Sequence, residues 1–444
     1  MKATPRGLEP YPAYKDSGVE WLGEIPAHWE LNRTKFAARL RSGHTPSRQH
    51  PEYWQDCTIP WFGLSDVWQI RDGQVEYVLE TAEKISELGL ANSSARLLPK
   101  DTVILSRTAS VGFSAILGVD MATTQDFVNW ICGSTLRPEY LLYVFRSMGH
   151  EFRRLTMGST HQTIYMPDVG GFSTAIPPLA EQDRIVAHVR EETARIDELV
   201  AKKERLIGLL QEQRTALITR AVTKGLDPNV PMKDSGVECL GQIPAHWNVN
   251  RTKFAARLRS GHTPSRQHPE YWQDCTIPWF GLADVWQIRD GQMEYVYETT
   301  EKISELGLAS SAARLLPKGT VILSRTASVG FSTILGVDMA TTQDFVNWVC
   351  GPTLRPEYLL YTFRSMRHEF RRLTMGSTHQ TIYMPDVGTF STPIPPVPEQ
   401  DEIIAVIRRE ATRIDALVAK IRDAIDRLKE LRTALISAAV TGKI

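Results

Sequence analysis

The sequence predicts an α+β protein with two related globular domains, each followed by one long helix, the two helices pairing as an antiparallel coiled coil. Three observations carry this reading. The 444-residue chain repeats itself, so that Arg33–Leu64 recurs without change as Arg251–Leu282. Each copy ends in a long run whose apolar residues alternate at three- and four-residue steps. The rest of each copy mixes β-branched runs, turn residues and short amphipathic stretches.

The duplication fixes the domain plan. KDSGVEWLGEIPAHW (Lys15–Trp29) returns as KDSGVECLGQIPAHW (Lys233–Trp247), and LRPEYLLY and RRLTMGSTHQTIYMPDVG follow at the same offset. This places a tail at 1–14, a first domain at 15–178, a long helix at 179–224, a linker at 225–232, a second domain at 233–396 and a C-terminal helix at 397–444. Gly225, Pro228 and Pro231 make the linker a helix stop and a turn.

Within the first copy, FAARLRSG suits a short helix or a strand end. Thr102–Asp120 suits two strands, broken at Gly112 and Gly118. Pro138–Met148 suits an amphipathic helix with proline in its first turn. Thr174–Gln182 is an extended proline segment leading into the long helix, and in the second copy Pro398 falls at that helix's first position.

A heptad reading of the first helix puts Ile185, Val189, Ile196, Leu199, Leu206, Leu210 and Leu217 on one seam, interrupted by Glu192, Lys203 and Gln213. In the second helix the seam is Ile403, Ile407, Ile414, Leu417, Ile421, Ala424, Leu428, Leu431 and Leu435, interrupted by Glu410. Each helix would span roughly 60 Å, while the connecting stretch Lys224–Met232 reaches roughly 30 Å at most. The second domain therefore begins where the first helix ends, which favours antiparallel pairing and a near two-fold arrangement.

Lysine plus arginine and aspartate plus glutamate both number 51, so the chain does not hold nucleic acid by bulk charge, although local basic patches remain open. The five cysteines, Cys57, Cys132, Cys239, Cys275 and Cys350, lack C-x-x-C spacing, which argues against zinc or a disulfide framework. No apolar run is long enough for a membrane span and the N-terminus lacks a signal-peptide centre, so a cytoplasmic protein is expected. No Walker A loop, Gly-rich cofactor loop, Asn-Pro-Pro-aromatic motif or Gly-x-Ser-x-Gly turn is present. Asp66 and Asp126 suit hydrogen bonding better than a nuclease cluster.

The densest basic stretch is Asn32–His50, with Arg33, Lys35, Arg39, Arg41 and Arg48 plus His44 and His50 and no acid. Arg33, Lys35 and Arg41 suit phosphates, Arg48 suits a phosphate or a guanine edge, and the turn of Gly43, His44, Thr45 and Ser47 would bring backbone N–H groups to a duplex. The bland alternative is a solvated basic loop around a structural turn. Arg107 and Thr108, between two apolar strands, suit base or phosphate contact or an ordinary hairpin. Thr160, His161 and Gln162 suit base edges or a strand cap, and Arg153 and Arg154 suit phosphates. The second copy offers Arg251, Lys253, Arg259, Gly261, His262, Thr263, Ser265, Arg266, Arg325, Thr326, Arg371, Arg372, Thr378, His379 and Gln380. Trp29, Tyr53, Trp54, Trp61, Trp68 and Trp130 are read mostly as core, and Cys57 and Cys132 as buried small apolar groups.

The IPAHW lead, the GHTPS loop, IPWFGLSDVW, the IPPLAEQDRIVAHV entry and the helix ends TALITRAVT and TALISAAVTGKI resemble the specificity subunit of type I restriction–modification systems. The resemblance covers Lys15–Ile444. It implies two target-recognition domains, each reading half of a bipartite double-stranded DNA site in the major groove. The helices would then fix the gap and dock methyltransferase subunits, two in number, and restriction/translocase subunits. It implies no catalysis in this chain, with S-adenosylmethionine, ATP and Mg on the partner subunits. Family members commonly carry two different domains. Here they are nearly identical, so an interrupted inverted repeat is expected, with half-sites about 34 Å apart. The competing classes are a stand-alone DNA-modifying enzyme and a protein–protein scaffold on the coiled coil.

Overall fold

A computed structural model describes residues 11–157, 163–238, 240–374 and 381–444. The chain divides into two compact units. One comprises Met1–Lys203 with Arg422–Ile444, the other Glu204–Ile421.

In the first unit a five-stranded sheet has the order Ala38–Ser42, Phe127–Cys132, Val103–Ser106, Ser114–Leu117, Tyr77–Val78. All pairs are antiparallel except the last, which is parallel. Alternation along these strands explains why both faces are buried. Val103, Leu105, Ile116, Val128 and Trp130 face the Pro138–Ser147 helix and the larger core. Ile104, Ala115, Leu117 and Phe127 face a second core with Phe62, Val67, Ile70 and Met121. A three-stranded sheet orders Ala122–Thr123, Ile59–Phe62 and Glu83–Ile85. The second unit repeats both sheets in the same order. FAARLRSG is both things at once, a helix over Thr34–Ala37 running into the Ala38–Ser42 strand.

The two long helices are Leu179–Lys224 and Val397–Val440, the latter starting one residue before Pro398. In the first unit Ile185 and Val189 share a core with Ile436, Ala439 and Val440. Further along, Arg432 Nε binds Asp197 at 3.0 Å. Numbers rise on one helix as they fall on the other, so the pairing is antiparallel. In the second unit the roles are exchanged: Ile218, Ala221 and Val222 pack with Ile403, Ile404 and Ile407, and Arg214 faces Asp415.

The heptad register needs correction. Leu199, Leu206, Leu417 and Leu431 are exposed, and Leu210, Leu217, Ile421, Leu428 and Leu435 are only half-buried. The stripe that is covered follows an eleven-residue repeat: Ile185, Ile196, half-buried Ile207 and Ile218, then Ile403, Ile414, Ile425 and Ile436. Val200 and Val418 replace Leu199 and Leu417 on the covered side. Eleven residues make about 3.67 per turn, close to a straight helix, whereas a seven-residue seam drifts about 20° per repeat.

Each domain grips the start of one long helix. Trp29 Nε1 and His28 Nε2 meet the Glu181 carboxylate, each at 2.9 Å. Buried Gln182 donates to Thr135 O (2.9 Å) and Pro177 O (2.8 Å) and accepts from Arg137 N (2.8 Å). Arg137 then forks onto Asp183. The end of the other helix closes the same corner, with Tyr140 O–H donating to Ala175 O and Val440 O and Tyr14 O–H donating to Gly442 O. Glu399, Gln400, Trp247, His246 and Tyr358 repeat the lock in the second unit.

Burial pushes the Glu181 carboxyl up, but hydrogen bonds from Tyr11, His28 and Trp29 outweigh it and hold the group below the usual carboxylate range. A carboxyl lowered by folding contributes stability that is complete above its unfolded value, about 4.3, and is lost as pH falls through the folded value. Glu181→Gln should therefore flatten acid destabilisation of the first unit below about pH 5, read from unfolding midpoints across pH. Gln182→Ala strands three backbone groups and should cost its unit about 3 kcal/mol in chemical denaturation, with the Gln400 unit unchanged.

Candidate nucleic-acid interface

Sheet topology gathers three of the sequence-predicted segments. Ser42 pairs with Val128 and Ser106 with Phe127, so the strands leading to Gly43 and Arg107 end beside the turn Thr123–Asp126. The Gly43 and His44 amides donate to Phe127 O (3.3 Å) and Thr123 O (2.9 Å). A Cβ on Gly43 would lie 2.0 Å from Thr124 O, so only glycine lets this loop close on the turn. Thr45 Oγ1 donates to Gln125 Oε1 at 2.6 Å, and Trp61 Nε1 donates to His44 O at 3.2 Å.

Arg107 is a clamp. Its Nε donates to Gln125 O (3.0 Å) and its Nη1 to Ile164 O (3.4 Å), while Ile164 N returns a bond to Arg107 O (2.8 Å). Thr108 bonds the Asp126 carboxylate, which also accepts from Thr124, and Thr108 bridges Thr163. The 43–48 loop, the 107–108 loop and the segment at 163–164 thus form one edge. Thr160, His161 and Gln162 lie outside the described residues, as do Thr378, His379, Gln380 and the Arg371 side chain.

Other candidates stand elsewhere or are already paired. Arg33 and Lys35 are exposed but precede Ala38, at the far end of the strand that delivers Gly43. Arg41 is half-buried and bonds Leu40 O. Arg48 stacks 3.6 Å over Trp54 and pairs with Glu83 at 2.5 Å, and exposed Ser47 supports Trp54 Nε1 through its carbonyl. Arg154 forks onto Glu151, whereas exposed Arg153, among the described residues, bonds Gly149 O of its own helix. Exposed Gln125 was not anticipated, because a single glutamine after two threonines carries no pattern.

The second unit repeats this edge. His262 N to Thr341 O is 2.9 Å, Thr263 to Gln343 is 2.5 Å, Arg325 Nε to Gln343 O is 3.0 Å, and Thr326 bonds Asp344. A Cβ on Gly261 would meet Thr342 O at 2.0 Å. Arg266 stacks on Trp272 and pairs with Glu301, Arg372 pairs with Glu369, and Ser265 is exposed. Arg251 and Lys253 are exposed on the strand end and short helix that precede Ala256, and Arg259 is half-buried.

Trp29, Trp61 and Trp130 are core, but Trp68 is 71 % exposed, turned out on a 3-10 helix whose buried side is Asp66, Val67 and Ile70. Asp66 is buried and accepts from the Gly63 and Ala82 amides. Cys57 and Cys132 are both half-buried rather than buried, and desolvation raises the Cys132 thiol to about 12. Among the described residues no group of three or more His, Cys, Asp or Glu is placed to hold a metal, and no helix is long and apolar enough to cross a membrane.

The family profile described as the type I restriction modification DNA specificity domain matches residues 27–205 and again 244–427. The type I restriction enzyme MjaIX specificity subunit of Methanocaldococcus jannaschii is 23% identical over 437 residues, 95% of each chain. The EcoR124I/EcoR124II specificity subunit of Escherichia coli is 25% identical over 183 residues, 39% of this chain and 41% of that one. Among solved structures, the HsdS subunit from Thermoanaerobacter tengcongensis superposes with a TM-score of 0.52 at 18% identity, covering 95% of this chain and 98% of that one. A chain from a study titled as the complex assembly and conformational transition of the type I R-M system gives 0.66 at 19%, covering 95% and 99%. At these identities the two structures show a shared fold.

Arg107→Ala should lower stability by about 2 kcal/mol, since it frees two carbonyls from their donors. Arg153→Ala should leave stability unchanged and reduce the slope of log affinity for DNA against log salt by about one. Denaturation and salt titration check the pair.

Proposed function

The chain belongs to the type I restriction modification DNA specificity family, and from that premise we propose that each of its domains, 15–178 and 233–396, reads one half of a bipartite site in double-stranded DNA. The observation that carries the proposal is the repetition of one loop edge, bond for bond, in both units. Equal readers contact equal words, so the site is an interrupted inverted repeat. Differences between the copies, among them Ser65/Ala283, Leu79/Tyr297, Ser134/Pro352 and Gly149/Arg367, fall outside residues 43–48 and 107–108 and their counterparts. A scaffold that used only its helices would have no need of matching loops.

On this reading the chain performs no chemistry. The paired helices set the spacer between half-sites and dock two methyltransferase subunits and the restriction/translocase subunits in the cytoplasm. S-adenosylmethionine, ATP and Mg²⁺ act on those partners.

Protection assays with the methyltransferase subunit should reveal one site with matching inverted halves. A site with unrelated halves would overturn the proposal. Inserting eleven residues into both helices, after Lys203 and after Ile421, should lengthen the preferred gap and keep the half-sites. Altered half-sites at an unchanged gap would contradict the spacer role.

A further inference from the structure

In the second unit a cavity of about 540 Å³ lies between the domain and the helix pair. Its volume is that of a small-molecule site. Arg214, Arg289, Arg364 and Arg367 line it, against the acids Asp290 and Asp415. Arg214 is partly committed: Nη2 donates to Gly291 O (3.1 Å), while the buried Nε stands 3.7 Å from Asp415 and makes no hydrogen bond. Arg364 spends Nη2 on Met293 O (2.6 Å), while its enclosed Nη1 makes no hydrogen bond within the protein. Ser332, 4 % exposed at the start of its strand, lines the same cavity with an unpaired Oγ. Burial pulls the Arg364 guanidinium down to about 10, the mark of a cation held without full compensation.

The first unit has the same construction. A cavity of about 420 Å³ is lined by Arg71, Arg146, Arg153 and Arg432 with Asp72 as its acid. Ser114 Oγ and Arg146 Nε make no hydrogen bond there. Buried donors without partners are costly. A serine hydroxyl and a guanidinium N–H left unpaired at one cavity are complementary to an oxyanion. Arginine's planar fork favours tetrahedral phosphate oxygens over a point charge. The depth of Ser332 and Ser114 favours a small ion over a duplex backbone.

We propose that each cavity binds a small polyvalent phosphate anion, of pyrophosphate size, through the buried serine hydroxyl and the enclosed N–H of the half-buried arginine. The second unit is the tighter site. Gly149 lines the first cavity where Arg367 lines the second, and the Arg367 guanidinium is held 4.2 Å over the Phe331 ring. The assignment rests on the cavities and not on the loop edge of the DNA-reading proposal; Arg153, in the first cavity, is the one residue named for both.

Calorimetry of the full chain with pyrophosphate tests it. Two unequal saturable sites are expected. Ser332→Ala should weaken the tighter one about tenfold, Arg367→Gly should bring it down to the weaker, and Gly149→Arg should raise the weaker. Saturable binding that neither Ser332→Ala nor Arg367→Gly changes would overturn the proposal, as would no saturable binding at all. Displacement of pyrophosphate from the tighter, second-unit site by random-sequence duplex would also overturn it, by assigning that cavity's arginines to DNA phosphates.

Discussion

The corner where Glu181 and Gln182 meet Trp29, His28, Thr135 and Arg137 organises each half of this protein, and Glu399 and Gln400 form its twin. A long helix leaving a domain is a lever, and its direction depends on its first turn. Here that turn is held by a buried amide with every hydrogen-bonding atom engaged and by a carboxylate bonded on both oxygens. Burial makes these bonds specific as well as stabilising, because an amide left unpaired in the interior costs more than a bond contributes. The end of the other long helix packs into the same corner through Val440 and Gly442, so helix pairing and domain docking are one event.

Much of the arginine in this chain is structural. Arg107 laces two loops together, Arg190 forks onto Glu76, Arg137 onto Asp183, and Arg432 ties a helix to Asp197 and to Gly73 O. That is why a formal charge of zero and a nucleic-acid function are compatible.

The sequence displayed its repeat, its two long helices and the strand pair on either side of Arg107 plainly, because these rest on local periodicity and turn residues. The helix stripe is legible at its start and lost further along. Ile185, Val189 and Ile196, with Ile403, Ile407 and Ile414, are buried as the seven-residue template predicts, but beyond them the template steps past Ile207, Ile218, Ile425 and Ile436 onto exposed or half-buried leucines. The basic stretch 32–50 read as one patch, yet a strand runs through it and carries Arg33 and Lys35 to the opposite end from His44. Gln125 and the Asp126 bonds were hidden because they depend on a sheet register that joins residues far apart in the chain. Trp68 shows a limit of another kind. Its neighbours Asp66 and Val67 turn inward on a tight helix with three residues per turn, which sets Leu64, Ser65 and Trp68 on the outer side.

Each compact half takes its last helical turns from the opposite copy of the repeat: residues 422–444 complete the first, and 204–224 complete the second. A covalent chain has thus been arranged as two exchanged partners usually are, with a short connector where two polypeptides would have free ends. A single-repeat polypeptide would carry every group needed to close that corner, but only by lending its helix to a sister molecule. Fusion therefore turns a concentration-dependent assembly into a unimolecular one, and frees each copy to diverge without losing its mate.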